Sequence, residues 1–350
     1  MSLSDIKQPI LGTFKKGERR AVDPRLTVRV EPAVAGRAIP MMVTPALDGL
    51  DPIAWAATHR QDIDALLAEH RALLFRGFGF DSVETFQRFV AATSDGKPLE
   101  YRDRSTPRNE LGSGIYVSTI YPSDQRIHLH NEGTYWLRWA LKIYFCCLEA
   151  APWGGETPIA DVRRVLARLD PAVRRQFAER GVMYVRNYND GLGLPWQEVF
   201  QSDSREEVEA YCRDNRIGCE WKDGGRLRTR QVRQAIQRHP RTGEEVWFNH
   251  AAFFHITSQE PDVRDALQRD LAEEDLPYNT YLGDGSPIPE ATAAAIREAY
   301  LAEKMIFPWH SGDLLLLDNM TVAHAREPYR GERRVVVAMT EPVAAGAIQA

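Results

Sequence analysis

Apolar residues recur at helical spacing along "DPIAWAATHRQDIDALLAEH", and its opening Asp-Pro is a helix start signal. "RALLFRGF" then reads as a strand. In "DSVETFQRFVAAT", Asp81 followed by Glu84 has the form of a capping box, and Phe86, Phe89 and Val90 keep helical spacing, so a second helix is predicted. From there to about residue 160 strands dominate: the segment around "RIHLHNEGTYW", then "ALKIYFCCLEA", then "ETPIAD". "VRRVLARLDPAVRRQFAERG" and "SREEVEAYCRDN" read as helices, with strand-like "VMYVRNY" between them. Asp-Gly-Gly in "CEWKDGGRLRTRQV" separates two candidate strands, a hairpin signal. Helical patches follow around 261–274 and 289–303, and the chain ends in the strands "KMIFPW", "GDLLLLDN" and "RRVVVAMTEP".

This order is not the strict strand–helix alternation of a doubly wound sheet. It predicts a mainly β protein with helical inserts, in the α+β class, whose strands from both ends share one sheet of a barrel or jelly roll. Residues 1–25 are polar and read as a loose arm. Residues 26–350 read as a single domain with a mixed insertion at about 162–305.

Apolar residues make up 43% of the chain, enough for a real core, so global disorder is not expected. The formal net charge of -5 argues against a dedicated nucleic-acid binder. The basic runs "RRVLAR" and "RLRTRQVRQ" are interrupted by other residue types and read as a solvated helix face or a strand rim. Cys146, Cys147, Cys212 and Cys219 lack the spacing of a zinc site and are expected to be buried free thiols of a reducing compartment. With no apolar run of spanning length and no signal-like start, a cytoplasmic protein with no membrane partner is expected. There is no phosphate-loop motif and no G-x-S-x-G elbow.

The chemistry concentrates in "RIHLHNEGTYW". On a strand, His128, His130 and Glu132 would share one face, so His130 and Glu132 could chelate one metal. H-x-E alone is a weak signal that a polar surface strand also satisfies. A third ligand is available in "GDLLLLDNMTVAHAREPYRGERRVVVAM", where His324 follows the strongly apolar strand. Two histidines and a carboxylate on one side of a metal form the facial set of non-haem iron(II) oxygenases, with positions left open on the other side. Zinc in a hydrolase accepts the same three ligands, so that reading stays open. Thr157, in "PWGGETPIAD", and Arg334, ten residues after His324, could bind a carboxylate beside the metal. The arginine would form a bidentate pair and the hydroxyl would add a further hydrogen bond. Arg333, one residue away on the same strand, is expected to face the other way. His128 is read as lying outside the ligand set.

The elements "HNE", "GGETPIAD", "VWFNHAAFF", "GDLLLLDN" and "HAREPYRGERR", in that order, resemble the taurine dioxygenase superfamily of iron(II)/2-oxoglutarate-dependent oxygenases. The nearest likeness is to the branch of natural-product pathways that hydroxylates amino acids, free or carrier-bound. The resemblance implies a double-stranded β-helix (jelly roll), with Fe(II), 2-oxoglutarate and O2 as the reacting partners. It implies His130, Glu132 and His324 as iron ligands, and Thr157 and Arg334 on the distal carboxylate of 2-oxoglutarate. The family places an aromatic near the substrate in "VWFNHAAFF", which makes Phe253 and Phe254 candidates, with Asn249 of the same segment. Arg126, four residues before His130, could bind a substrate carboxylate or simply lie at the surface. Glu132 stands where the founder has Asp, as in several amino-acid hydroxylases. It also fills the site that halogenating relatives leave small, which favours hydroxylation. The second arginine that founders use for a sulfonate would fall near Ala338, so a sulfonate substrate is not expected. Desaturation and cyclisation stay open beside hydroxylation.

Overall fold

Strand Arg138–Glu149 is the spine of the molecule. It pairs antiparallel with Asp313–Asp318 on one side and with Arg334–Ala344 on the other. The computed structural model describes residues 27–95, 110–112, 114–117, 121–188 and 191–344; the expected arm over 1–25 lies outside them. The spine belongs to an eight-stranded sheet that runs Val28–Pro32, Met41–Pro45, Ala72–Phe75, Asp313–Asp318, Arg138–Glu149, Arg334–Ala344, Ile115–Val117 and Glu110–Gly112. Strands from the two ends of the chain do share one sheet. The protein is strand-rich α+β, as the mixed element order predicts.

"RWALKIYFCCLE" and "DLLLLD" are apolar without alternation because both faces of this sheet are covered. On one face Tyr144, Cys146, Leu314, Leu316 and Val336 meet Trp55, Phe86 and Phe89 from helices Pro52–Thr58 and Val83–Thr93. The first helix starts as expected, with Asp51 accepting from Ile53 N and Ala54 N ahead of Pro52. The second is capped one residue later than the spacing predicts: Ser82, not Asp81, accepts from Thr85 N. Lys142 is fully buried on this side, where Asp64 of helix Arg60–His70 at 2.6 Å, the Thr93 carbonyl of Val83–Thr93 at 2.7 Å and Glu341 of the sheet at 2.7 Å tie those two helices to the sheet.

The other face carries Phe145, Cys147, Leu315, Leu317, Val335, Val337 and Met339. The smaller, three-stranded sheet runs Ile127–His130, Val322–Arg326, Ile159–Asp161, and its Ile159, Ala160, Val322 and Ala323 join the same core. Between residues 162 and 305 the chain builds a separate four-stranded sheet, Gly218–Trp221, Leu227–Arg233, Val182–Tyr188, Tyr278–Leu282, with helices around it. The hairpin expected at Asp-Gly-Gly closes over Asp223–Gly225. The four cysteines are free; Cys146, Cys147 and Cys212 are buried and Cys219 is half-buried. Among the described residues no helix is long and apolar enough to cross a membrane.

Candidate active site

His130 and His324 are direct partners across the antiparallel pair of Ile127–His130 and Val322–Arg326. Side chains directly opposite on such a pair point to the same side, so the two imidazoles meet, with ring centroids 4.5 Å apart. Glu132 arrives differently. The strand ends at His130, and Glu132 sits in the turn that follows, so period-two alternation is not what aligns it. Its backbone is held by Asn319: Glu132 N donates to Asn319 Oδ1 at 2.8 Å, and Asn319 Nδ2 donates to Glu132 O at 3.0 Å and to Ala140 O at 2.8 Å. One nitrogen from each histidine and one Glu132 oxygen then lie within 4.8 Å of one another. His128 is exposed, and its carbonyl accepts from His130 Nδ1 at 2.8 Å. That bond sets the His130 tautomer and presents the Nε2 lone pair to a metal.

Asn319 lies on the turn between the apolar strand and the His324 strand, and that turn is itself fixed. Asp318 Oδ1 accepts from Met320 N and Thr321 N, at 3.0 and 3.1 Å. Its Oδ2 accepts from buried His239 Nε2 at 2.9 Å, while His239 Nδ1 accepts from Thr242 N. "DN" at the end of "GDLLLLDN" was the visible trace of this turn; its tie to Glu132, 187 positions away, is a tertiary contact. Phe145 packs on the His324 ring at 4.9 Å, and Phe253 on the His130 ring at 4.8 Å. His250 donates from Nε2 to the Asn131 carbonyl at 2.7 Å. Burial, then the neighbouring His130, pushes its imidazole down to about 3, so it stays neutral.

The arginine is where sequence register and structure part. Arg334 is exposed and sits beside Glu149, with a bulge between Arg334 and Val335. Arg333 is the residue that turns inward. Its Nε donates to the Gly155 carbonyl at 2.8 Å and its guanidinium lies 5.5 Å from the Tyr329 ring centroid. Burial, then the charge of Arg326, lowers it to about 10, which leaves it cationic at neutral pH. Phe145, which packs on His324, and Cys147 share the inner face of the spine, and Arg333 lies two residues before Val335, the partner of Cys147 across the sheet. Two residues on a strand span roughly 7 Å. Gly155 makes room for Arg333: its φ is +76°, and an added Cβ would lie 2.9 Å from Arg333 Cδ. Thr157, two residues on, is buried and accepts from Trp309 Nε1 at 3.0 Å.

The family model described as "Taurine catabolism dioxygenase TauD, TfdA family" matches residues 36–340. The chain belongs to the TauD/TfdA dioxygenase family. The dapdiamide synthesis protein DdaC of Enterobacter agglomerans is 40% identical over 314 residues, covering 90% of this chain and 94% of that protein. A clavaminate synthase-like protein of Arabidopsis thaliana is 29% identical over 294 residues, 81% of this chain and 85% of its own. Among solved structures, PvcB of Pseudomonas aeruginosa superposes with a TM-score of 0.55 at 15% identity, covering 94% of this chain and 95% of its own. This TauD/TfdA chain is a 2-oxoglutarate-dependent non-haem iron dioxygenase, with Fe(II), 2-oxoglutarate and O2 as its reacting partners and a small molecule as its substrate. Two imidazoles and one carboxylate converging from one side are a donor set that suits iron(II).

Of the four residues considered for the substrate, Phe253 lies against the centre and the other three are engaged elsewhere. Phe253 is half-buried against His130 and His250. Phe254 is buried among Tyr135, Tyr184 and Tyr278 and is a core residue. Asn249 donates to Ala235 O and accepts from Ala251 N, both at 2.9 Å, so its amide is spent on holding its own turn. Arg126 is half-exposed and gives Nε and a terminal nitrogen to Glu327, at 3.0 and 2.9 Å. Sequence reasoning passed over Arg326, which is buried and donates to the carbonyls of Tyr121, Pro122 and Gln125. It thereby pins the segment that leads into the His130 strand.

Proposed function

We propose that His130, Glu132 and His324 hold the iron(II), and that Arg333 with Thr157 holds the distal carboxylate of 2-oxoglutarate. The observation that carries this is the convergence of the three ligand atoms within 4.8 Å, with an inward, charged arginine two residues before Val335, the partner of Cys147 on the spine strand. Iron(II) held by these residues would supply the chemistry by which O2 gives one oxygen atom to 2-oxoglutarate, released as succinate and CO2, and the other to a substrate C–H.

The residues of the chain supply position and a dry setting. Asn319 sets where Glu132 presents its carboxylate, and the His128 carbonyl sets the His130 tautomer. Arg333 offers a planar fork for a carboxylate, the geometry that favours bidentate pairing. The Thr157 hydroxyl accepts from Trp309, so its own proton is directed to another acceptor. Phe253 stands at the His130 ring, where it excludes water from the space a substrate would take.

The substrate is an amino acid, free or as an aminoacyl group on a carrier protein, in a natural-product pathway, and the outcome is hydroxylation. Support comes from the likeness to a dapdiamide synthesis protein and from Glu132, which fills the position beside the metal with a carboxylate. A sulfonate stays disfavoured after the change of register: Ala338 is buried under the helices, and Val337, which keeps the offset counted from Arg333, is buried in the inner core. The two facing sheets form the double-stranded β-helix. Residues 26–350 act as one catalytic domain, 162–305 are its insertion, and the enzyme works in the cytoplasm. A zinc hydrolase with the same three ligands would have no use for Arg333. The test is succinate release with Fe(II) and 2-oxoglutarate, screened over the amino acids and their carrier-bound forms. A product gaining one oxygen supports hydroxylation, loss of two hydrogens means desaturation or cyclisation, and hydrolysis without succinate overturns the reading.

A further inference from the structure

The "RLRTRQVRQ" run does more than form a solvated rim. Two of its arginines, Arg230 and Arg233, join Arg180 and Arg216 around a cleft of about 510 Å³, whose lining also includes Leu137, Val232 and the buried Trp136 and Trp139. Four arginines line this space and no carboxylate does. Arg180 pairs with Asp284 at 3.1 Å and Arg230 with Glu220 at 2.7 Å. Both acids are half-exposed and stand outside the lining, and with them counted the cleft still holds net positive charge. Arg233 is buried and donates to the carbonyls of Tyr135, Arg216, Val232 and Asn215 and to Gln231 Oε1. All five of its N–H donors are used there, so it contributes fixed charge, and Arg180, Arg216 and Arg230 are the arginines that can meet a ligand. The indole N–H of Trp139, buried in the cleft wall, has no hydrogen-bond partner among the described residues. The wall also touches the catalytic centre from behind. Trp136 packs so closely on Gly133 that a Cβ there would lie 2.3 Å from its ring, and Gly133 adjoins Glu132.

We propose that this cleft is a second ligand site, distinct from the catalytic centre, which takes an organic phosphate: a dianion for the arginines joined to an apolar body for Leu137 and Val232. Charge without a lining carboxylate selects the anion, and guanidiniums match phosphate oxygens in pairs. Val232, exposed, and Leu137, half-buried, select the apolar body. A simple inorganic anion would leave this apolar lining unused, and a neutral apolar molecule would leave the charge unanswered.

The probe is phenyl phosphate, titrated calorimetrically into full-length protein already saturated with Mn(II) and 2-oxoglutarate, so that the catalytic centre is filled. Inorganic phosphate and phenol are the two half-ligands. Saturable binding of phenyl phosphate is expected, tighter than either half-ligand by at least tenfold and weakened by added salt. Arg216 and Arg230 are exposed, so R216Q/R230Q keeps the fold, and it should raise the dissociation constant at least tenfold. V232N, at an exposed lining position, should weaken phenyl phosphate and leave inorganic phosphate unchanged. Absence of saturable binding, equal binding by phenol, or an unchanged constant in R216Q/R230Q overturns the proposal. If 2-oxoglutarate itself fails to bind, the catalytic reading is at fault and the cleft is still tested by the same titration.

Discussion

Asn319 grips the peptide of Glu132 from both ends, accepting from its N–H at 2.8 Å and donating to its carbonyl at 3.0 Å. Because Asn319 also opens the turn that leads to His324, one side chain fixes the carboxylate ligand relative to a histidine 192 positions later in the chain. Partners that orient metal ligands in this way are worth roughly 10- to 100-fold in metal affinity. N319A should therefore weaken Mn(II) binding by about that factor. N319D keeps an acceptor for Glu132 N but loses both donors, so it should rescue little. A calorimetric Mn(II) titration decides; affinity unchanged in both variants would mean that Glu132 is positioned without Asn319.

The ligand set gives a sharper contrast. H130A, E132A and H324A should each abolish succinate formation and Mn(II) binding, while thermal unfolding of the metal-free protein stays near wild type because the strands still pack. H128A should keep activity, since His128 offers His130 only its backbone carbonyl. Loss of activity in H128A with retention in H130A would reassign the histidine ligand.

For the co-substrate, the two adjacent arginines make the experiment. Charge-assisted hydrogen bonds contribute roughly 1.5 to 3 kcal/mol each. A bidentate pair lost in R333A should thus raise the Michaelis constant for 2-oxoglutarate by about two orders of magnitude or more. R333K should restore part of it, as a point charge without the fork. R334A, exposed beside Glu149, should match wild type. The reverse pattern would return the clamp to Arg334.

How far the sequence carried these conclusions differs from residue to residue. His130 and His324 were legible because their type, order and flanking strands are local features, and the element order already pointed to an α+β protein whose two ends share a sheet. Glu132 was picked for the wrong reason, since a turn and Asn319 hold it rather than strand alternation. The inward turn of Arg333, on which the proposed clamp rests, was not legible because a bulge at Arg334 breaks the count of alternating faces, and nothing in "GERRVVVAM" marks a bulge. The surer sign lay elsewhere: two consecutive glycines in "WGGET", both at positive φ, mark a place where other chain comes close, and at Gly155 that chain is Arg333. Asn249 and Phe254 look like pocket residues in a motif, and only their contacts show that one holds a turn and the other fills the core.

A last expectation concerns pH. His255 is buried; its Nδ1 accepts from Thr257 N, and Nε2 donates to the Ile288 carbonyl. Burial lowers its pKa below the ordinary 6.5, the Ile288 bond works against that shift, and Arg297 reinforces it while Glu290 and Glu273 oppose it. The folded chain thus keeps this imidazole neutral where the unfolded chain would take a proton. Its contribution to stability is full above the unfolded value of 6.5 and is lost as pH falls below it. His250 adds a slope of the same sign, so wild type alone does not isolate His255. The comparison with H255Q does: glutamine keeps a donor for Ile288 but does not titrate. H255Q should be less stable than wild type at pH 8, having lost the acceptor for Thr257. The gap between the two urea midpoints should narrow steadily from pH 7 to pH 5, because only wild type pays the protonation penalty at this site. A gap that stays constant over that range would show that His255 titrates alike in the folded and unfolded chains.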